Sequence, residues 1–383
     1  MSKDSRGTPP SREQASPSRL GSFHPGWLGV VMGTAILGVA AYLNPGHLPA
    51  LSGAARVLGQ AMVVLAAGLL LLIGLPYVAR IFRHPDAALR DLRDPAVGAL
   101  YGTLPGGILV LATAVAVVGP SLVPEGVALG VVTGLAWIGI PIAFVNSVLF
   151  AYLAFGRPGI DPGAISGAWF IPPVVNIIVP LVLCPLIAGV SPAVGRLLLI
   201  AAYAFWGIGF LSFLLVVSLL HDRLVFHPLP SAGLAPNFWI GLGPPAVGAL
   251  SLMRMAEAGS GVYGSAGPAM EMASRIGATI LWGFGVWWLA AAIMLLASYL
   301  RRGPLPFSIG WWALTFPTGA HTVCTLRLAR AWKIGFLEGF GAVLFLLLGA
   351  FWIVVAARTL WALRTGEVWR RHPAPASAPR AEG

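Results

Sequence analysis

Charged residues are scarce in this 383-residue sequence, and ten long stretches of it contain none. Asp, Glu, Lys and Arg make up 10% of the chain, whereas soluble domains contain about a quarter. Apolar residues make up 57%. This composition excludes a soluble globular domain. The uncharged segments lie close to residues 20–55, 57–79, 95–124, 126–156, 162–195, 197–220, 224–253, 276–300, 303–326 and 339–357.

Residues that bind metals and cofactors are also few. The two cysteines, Cys184 and Cys324, lie in uncharged segments, where cysteine is most simply a small apolar residue. Only His321 falls well inside a proline-marked segment, whereas a haem-binding subunit needs histidine pairs. The aspartates at 86–94 alternate with arginines and lack the second cluster that a membrane prenyltransferase requires. We therefore predict neither an enzyme, nor a cofactor, nor a metal site.

Each of the ten uncharged segments suits one membrane-spanning helix. A helix needs about 20 residues to cross the hydrocarbon core. Unpaired backbone groups are not tolerated in lipid, so the segments should be helical. The sequence predicts an all-α integral membrane protein of ten transmembrane helices at 23–365. The polar, Ser/Pro-rich residues 1–22 and the Pro/Ala-rich residues 366–383 are predicted to be disordered cytoplasmic tails.

Basic residues lie unequally on the two sides of the predicted spans. Seventeen lysines and arginines fall on the side of the two tails, and seven fall on the other side. Cytoplasmic segments carry the excess of basic residues, so both termini are predicted to be cytoplasmic, in a multi-pass protein of the cytoplasmic membrane. The net charge of +11 mostly reflects this bias. Because no basic soluble segment with interleaved aromatic residues is present, nucleic acid is not a predicted partner.

Prolines recur at a nearly constant interval in four of the segments. Consecutive marks lie 67 to 73 residues apart, and each interval holds two spans. A fixed period indicates a repeated unit, which here is a helical hairpin. Because all the hairpins have the same orientation in the membrane, five of them can close around a central pore with pseudo-fivefold symmetry. Proline kinks a helix and is tolerated where freed carbonyls find partners, so we place the odd spans inside as pore-kinking helices. The marks are Pro105, Pro172, Pro173, Pro244, Pro245 and Pro317.

The even spans are correspondingly predicted to lie outside. In the fourth span, Gly126, Gly130 and Gly134 form a face of small residues at four-residue spacing. Such a face is suited to close helix packing.

Five segments around these prolines resemble the tellurite-resistance/dicarboxylate transporter family. That family includes the slow anion channels of plant guard cells, bacterial tellurite-resistance proteins, fungal malate permeases and fungal sulfite efflux pumps. The resemblance covers roughly residues 23–365, and Ala35 departs from it where many members have a glycine. The segments are 25–34 (PGWLGVVMGT), 84–95 (HPDAALRDLRDP), 169–173 (WFIPP), 243–246 (GPPA) and 307–317 (FSIGWWALTFP).

The resemblance implies a ten-helix bundle with a pore through each protomer, assembled as a homotrimer in the bilayer and passing small anions. It also implies that a phenylalanine of the ninth helix occludes the pore, and the matched residue is Phe316. A hydrophobic constriction closes a pore without any bound charge. Taken alone, a phenylalanine beside a proline is more often a packing residue.

The uncharged segments hold no ion pairs, so an anion path would rely on hydroxyls, amides and backbone dipoles that bind weakly. The alternative, that these groups bond their own helix backbone, stays open for about half of them. Beyond the ninth span, Arg327, Arg330 and Lys333 either draw anions to the pore or contact lipid headgroups. The candidate pore-lining residues are Gly33, Thr34, Thr103, Phe170, Asn176, Thr315, Thr318 and His321.

The sequence leaves the mode of transport open. His321 either senses pH in the path or is a neutral histidine bonded to a neighbouring helix. The parallel repeat favours a channel-like uniporter over two rocking halves. A proton-coupled carrier of C4-dicarboxylates such as malate, or of sulfite, is the alternative. No residue selects among inorganic anions, sulfite and small carboxylates, or sets the direction of transport.

Overall fold

The computed structural model describes residues 19–157 and 159–369. These residues are helical with short connections and contain no strand. The helices are α1 (Gly29–Tyr42), α2 (Ser52–Arg83), α3 (Pro85–Arg93), α4 (Thr103–Val118), α5 (Glu125–Phe155), α6 (Ile171–Ile187), α7 (Pro192–Phe226), α8 (Gly243–Ala258), α9 (Ser260–Tyr263), α10 (Gly267–Arg302), α11 (Thr315–Trp332) and α12 (Gly335–Thr365).

Ten of these helices fall into two classes that alternate along the chain. Helices α1, α4, α6, α8 and α11 have 14 to 18 residues and are mostly buried. Helices α2, α5, α7, α10 and α12 have 31 to 36 residues and expose large apolar side chains. Because apolar exposure on this scale suits lipid rather than water, the long helices form the outer layer.

The short helices pack against one another in a closed circle. Helix α1 contacts α4, α4 contacts α6, α6 contacts α8, α8 contacts α11, and α11 returns to α1. Each short helix also packs on the long helix that follows it in the chain, which gives five hairpins. Eight segments are long and apolar enough to cross a membrane. Helices α8 and α11 are not among them, so the count of ten spans and the pseudo-fivefold symmetry stay predictions.

The recurring prolines lie at the start of α-helices rather than in the middle of them. Each short helix is preceded by a 3-10 turn, and the prolines occupy the second or third residue of the α-helix that follows. The first N–H groups of a helix have no intrahelical acceptor, so a residue without N–H costs little there. In an apolar interior this placement removes donors that would be unpaired. At the positions where kinks were predicted, the structure has a change from a 3-10 turn to an α-helix.

The outer layer departs from the sequence-based expectation at one face. Gly126, Gly130 and Gly134 are exposed, and a Cβ placed on any of them would meet no atom within 4 Å. Within the described chain, this face of α5 has no helix packed against it. Close packing there would need another molecule.

Both ends of the described chain contact the bundle. The Nε of Arg80 donates to the carbonyl of Gly21 at 3.4 Å, and Trp369 lies 6.4 Å from Trp27, measured between ring centroids. The predicted disordered tails fall mainly on residues 1–18 and 370–383, outside the described residues. Their boundaries at 22 and 366 stay predictions.

Candidate functional site

A central cavity of about 60 Å³ is built by the beginnings of all five short helices. It is bounded by the first residues of α1, α4, α6 and α8 and by the second residue of α11. The rest of its wall comes from the preceding 3-10 turns and the following helical turn. Those five residues are Gly29, Thr103, Ile171, Gly243 and Phe316.

Phe316 borders the cavity at the second residue of α11. Its side chain is 7% exposed. A Cβ placed on Gly243 would lie 3.9 Å from Cε1 of Phe316 and 3.8 Å from Pro317. The aromatic ring therefore lies beside the backbone of α8, at a position where no side chain intervenes. The ring therefore brings an uncharged, apolar surface to the cavity wall.

The electrostatics of the cavity come mainly from the backbone. Each helix carries about half a positive charge at its N-terminus. Five N-terminal ends meet at this cavity, because all five short helices begin there. Helix N-termini stabilise anions, whereas a cation at the same place would be repelled. The arrangement favours an anion without any Lys or Arg in the cavity wall.

Three side chains add polarity to the wall, and most of that polarity is already used. The hydroxyl of Thr103 donates to the carbonyl of Pro25 at 2.6 Å. Nδ1 of His24 accepts from the backbone N–H of Gly26 at 3.1 Å. Burial lowers the pKa of His24 from 6.5 to about 4, although nearby Asp91 opposes this shift. His24 is thus neutral at physiological pH, and Asn237 is the third polar residue of the wall.

Of the predicted site residues, the lining candidate Thr103, the gate candidate Phe316 and the marked Pro317 border the cavity. Other predicted residues lie at contacts between helices. A Cβ placed on Gly33 would lie 2.1 Å from Oγ1 of Thr315, so α1 and α11 are closest there. The hydroxyl of Thr34 donates to the carbonyl of Val30 at 2.8 Å and accepts from the indole N–H of Trp352.

Thr315 and Thr318 bond their own helix. The hydroxyl of Thr315 donates to the carbonyl of Trp312 at 2.7 Å. The hydroxyl of Thr318 donates to the carbonyl of Leu314 at 2.6 Å and accepts from the indole of Trp239. Neither threonine borders the cavity.

Phe170 and Asn176 also lie away from the cavity. Phe170 is fully buried against Phe213 and Trp288, with ring centroids 5.5 and 5.7 Å away. The amide N–H of Asn176 donates to the carbonyl of Pro172 at 2.9 Å, whereas its Oδ1 is buried without a partner among the described residues.

His321 faces the outer layer. A Cβ placed on Gly285 of α10 would lie 2.8 Å from Cε1 of His321, and the indole of Trp282 lies parallel to the imidazole at 6.3 Å. Both ring nitrogens are buried and have no hydrogen-bond partner within the described chain. The imidazole does not border the cavity.

Sequence reasoning missed several cavity residues. Gly29, His24, Asn237, Gly243 and Trp312 border the cavity without having been singled out. A usable signal was present, because Ile171, Gly243 and Phe316 each stand immediately before a marked proline. The residue before each of these three prolines is the first or second residue of an α-helix, at the end that borders the cavity.

Comparison with known proteins agrees with this architecture. The model of the family described as voltage-dependent anion channel matches residues 22–360. The chain belongs to that family. It is accordingly a multi-pass membrane protein of a family of channels and transporters rather than enzymes, as the sequence predicted.

Relatives match along most of this anion channel family member. An uncharacterized transporter of Methanocaldococcus jannaschii is 31% identical over 92% of this chain and 96% of its own length. A sulfite efflux pump of Trichophyton rubrum is 26% identical over 92% of this chain and 93% of its own. A malic acid transport protein of Schizosaccharomyces pombe is 26% identical over 58% of this chain and 52% of its own.

Proposed function

We propose that the protein conducts small anions through a central path that Phe316 closes at the end of the cavity. The observation that carries the proposal is the meeting of five helix N-termini around one cavity with no charged side chain in its wall. Each terminus stabilises an anion by about 0.3–1 kcal/mol. Several weak contributions attract an anion without holding it, which is what conduction requires.

The gating role of Phe316 is supported by its position. The ring borders the cavity, lies beside a glycine of the neighbouring helix and is buried. Rotation of one side chain changes the width of the constriction without moving a helix. The permeant class is inorganic anions, sulfite or small carboxylates.

A proton-coupled carrier of C4-dicarboxylates or sulfite is the second candidate, and the substrates in the names of two relatives fit it. One is named a sulfite efflux pump and another a malic acid transport protein. Coupling needs a group that changes protonation in the path. The sequence-based candidate is His321, which lies against α10 in this structure and would have to reach the path during transport. If it couples, flux should vary between about pH 5.5 and 7.5, and His321→Gln should flatten the variation.

The proposed location is the cytoplasmic membrane, with both termini in the cytoplasm and the cavity on the cytoplasmic side. The excess of basic residues beside the two tails supports this orientation. The proposed assembly is a homotrimer with one path in each protomer. Native mass spectrometry of the detergent-solubilised protein tests the assembly directly.

Reconstitution tests the function. We expect proteoliposomes to develop membrane potentials in gradients of chloride, nitrate, sulfite or malate, with reversal potentials that rank the anions. Simultaneous measurement of the pH inside the vesicles distinguishes the two candidates. Anion flux without proton movement supports the channel, and stoichiometric proton movement supports the carrier. Vesicles that conduct none of these anions would contradict both.

A further inference from the structure

The far ends of α8 and α11 bring arginines together, away from the cavity. Arg327 lies 11 residues after Phe316 on α11, and Arg254 lies 11 residues after Gly243 on α8. Eleven residues at 3.6 per turn are close to three full turns. Each arginine is therefore on the helix face that borders the cavity three turns earlier, about 16 Å further along the axis.

The two arginines lie on helices that are in contact, as well as at equivalent register. Arg327 lies within electrostatic range of Arg254, Glu257 and Arg330. Helices α8 and α11 are neighbours in the closed circle, so their matching faces converge on the same axis. The thiol of Cys184, on the adjacent helix α6, lies within range of Arg254 and Glu257. Three of the five short helices thus reach this point.

Arg327 differs from its neighbours in forming no ion pair within the described chain. Arg254 pairs with Glu257 at 2.7 Å. Arg330 pairs with Glu338 at 3.5 Å and donates to the carbonyl of Leu43 at 2.6 Å. Among the described residues, Arg327 forms no ion pair and no hydrogen bond through its side chain. Partly buried cations ordinarily have a partner, so one is missing here.

The stretch between this cluster and the cavity is apolar. On α11, the residues that share the face of Phe316 and Arg327 are Ala320, Val323 and Cys324, all buried. An anion leaving or entering the path at this end would meet the arginines before any other charged group on these faces. The guanidinium fork binds two oxygens of one anion at once, which suits carboxylates and sulfite better than chloride.

We propose that Arg327, flanked by Arg254 and Arg330, binds a small oxyanion at the end of the central path opposite the Phe316 cavity. The site deepens the proposed function, because it would load or release the transported anion. Its affinity is nevertheless a property of the folded protein and can be measured without transport.

Binding is tested with the purified full-length protein in a detergent that contains no anionic lipid. Isothermal titration calorimetry with malate and with sulfite should show that Arg327→Gln weakens binding about tenfold, as loss of one close charge does. Arg327→Lys keeps the charge and should weaken binding less. Arg275→Gln is the matched control, because Arg275 lies on α10, pairs with Glu271 and should leave binding unchanged.

The outcomes separate the site from transport. Equal affinities in wild type and Arg327→Gln, or no binding of either anion to wild type, would overturn the site. Retained binding in Phe316→Ala would place the site apart from the gate, whereas its loss would overturn the two-end arrangement. If the protein binds the anion through Arg327 but shows no anion flux, the proposed function is contradicted and the binding site is not. If Arg327→Gln abolishes only the effect of added phosphatidylglycerol, the cluster binds lipid headgroups and the proposal fails.

Discussion

Phe316→Ala should convert the closed path into an open one. The substitution removes the aromatic ring that lies beside Gly243 and leaves the backbone of α11 unchanged. Phe316 is the second residue of α11 and alanine is the best helix former, so the helix itself should persist. We expect a higher basal anion flux at zero applied potential.

Two magnitudes follow from the burial of this side chain. A phenylalanine that is 7% exposed should cost at most about 3–5 kcal/mol of stability when it is truncated. An anion that crosses an apolar constriction loses hydration worth several kcal/mol. If water enters the vacated space and lowers the barrier by about 3 kcal/mol, the rate should rise more than a hundredfold, because each 1.36 kcal/mol is a factor of ten.

The assay is anion efflux from proteoliposomes, with protein content and thermal stability measured in parallel. Phe170→Ala is the matched control. Phe170 stands two residues before Pro172, much as Phe316 stands one residue before Pro317. Its ring, however, packs against the outer helices and not beside the cavity. It should lower stability without raising flux. Gly243→Leu added to Phe316→Ala should refill the space and reduce the flux again. A stable Phe316→Ala protein with wild-type flux would show that the ring is only a packing group.

Three further predictions concern packing, pH and topology. Gly33→Ala should destabilise the fold by about 1–3 kcal/mol in thermal unfolding, because the new methyl group overlaps Thr315. Between pH 6.5 and 4, His24 is protonated in the unfolded chain but neutral in the folded protein. The free energy of unfolding should therefore decrease by about 3 kcal/mol as the pH falls through this range, and His24→Asn should remove most of that decrease. With both native cysteines buried, Ser260→Cys should react with an impermeant thiol reagent on intact cells; labelling only after lysis would reverse the orientation.

The sequence predicted the fold well because membrane insertion imposes a strong constraint. Uncharged segments marked the helices, and the proline interval marked the hairpin repeat and its inner helices. The family was also predictable, because five segments that resemble it occur in order along the chain. In these cases a single physical requirement, such as helical pairing in lipid or entry of a helix at a proline, decides the pattern.

The orientation of individual side chains was much harder to predict. An outer helix exposes one face to lipid, whereas α11 is buried on nearly every side, so its sequence carries no amphipathic stripe. Thr318 and His321 therefore looked like pore residues, although one bonds to Trp239 and the other lies against α10. Which buried face borders the cavity depends on the rotation of each helix, and that is set by contacts with neighbouring helices.

Those contacts bear on how the path opens. The circle is closed by very short helix separations: a Cβ on Gly33 would overlap Thr315, and one on Gly319 would lie 2.4 Å from Ile36. On the other side of α1, a Cβ on Gly106 would lie 2.9 Å from the sulfur of Met32. Helices in such close contact separate only at the cost of many packing interactions, since dense interiors resist deformation. Rotation of one side chain at the cavity disturbs few of them, and this difference favours a local gate over the rocking of two halves.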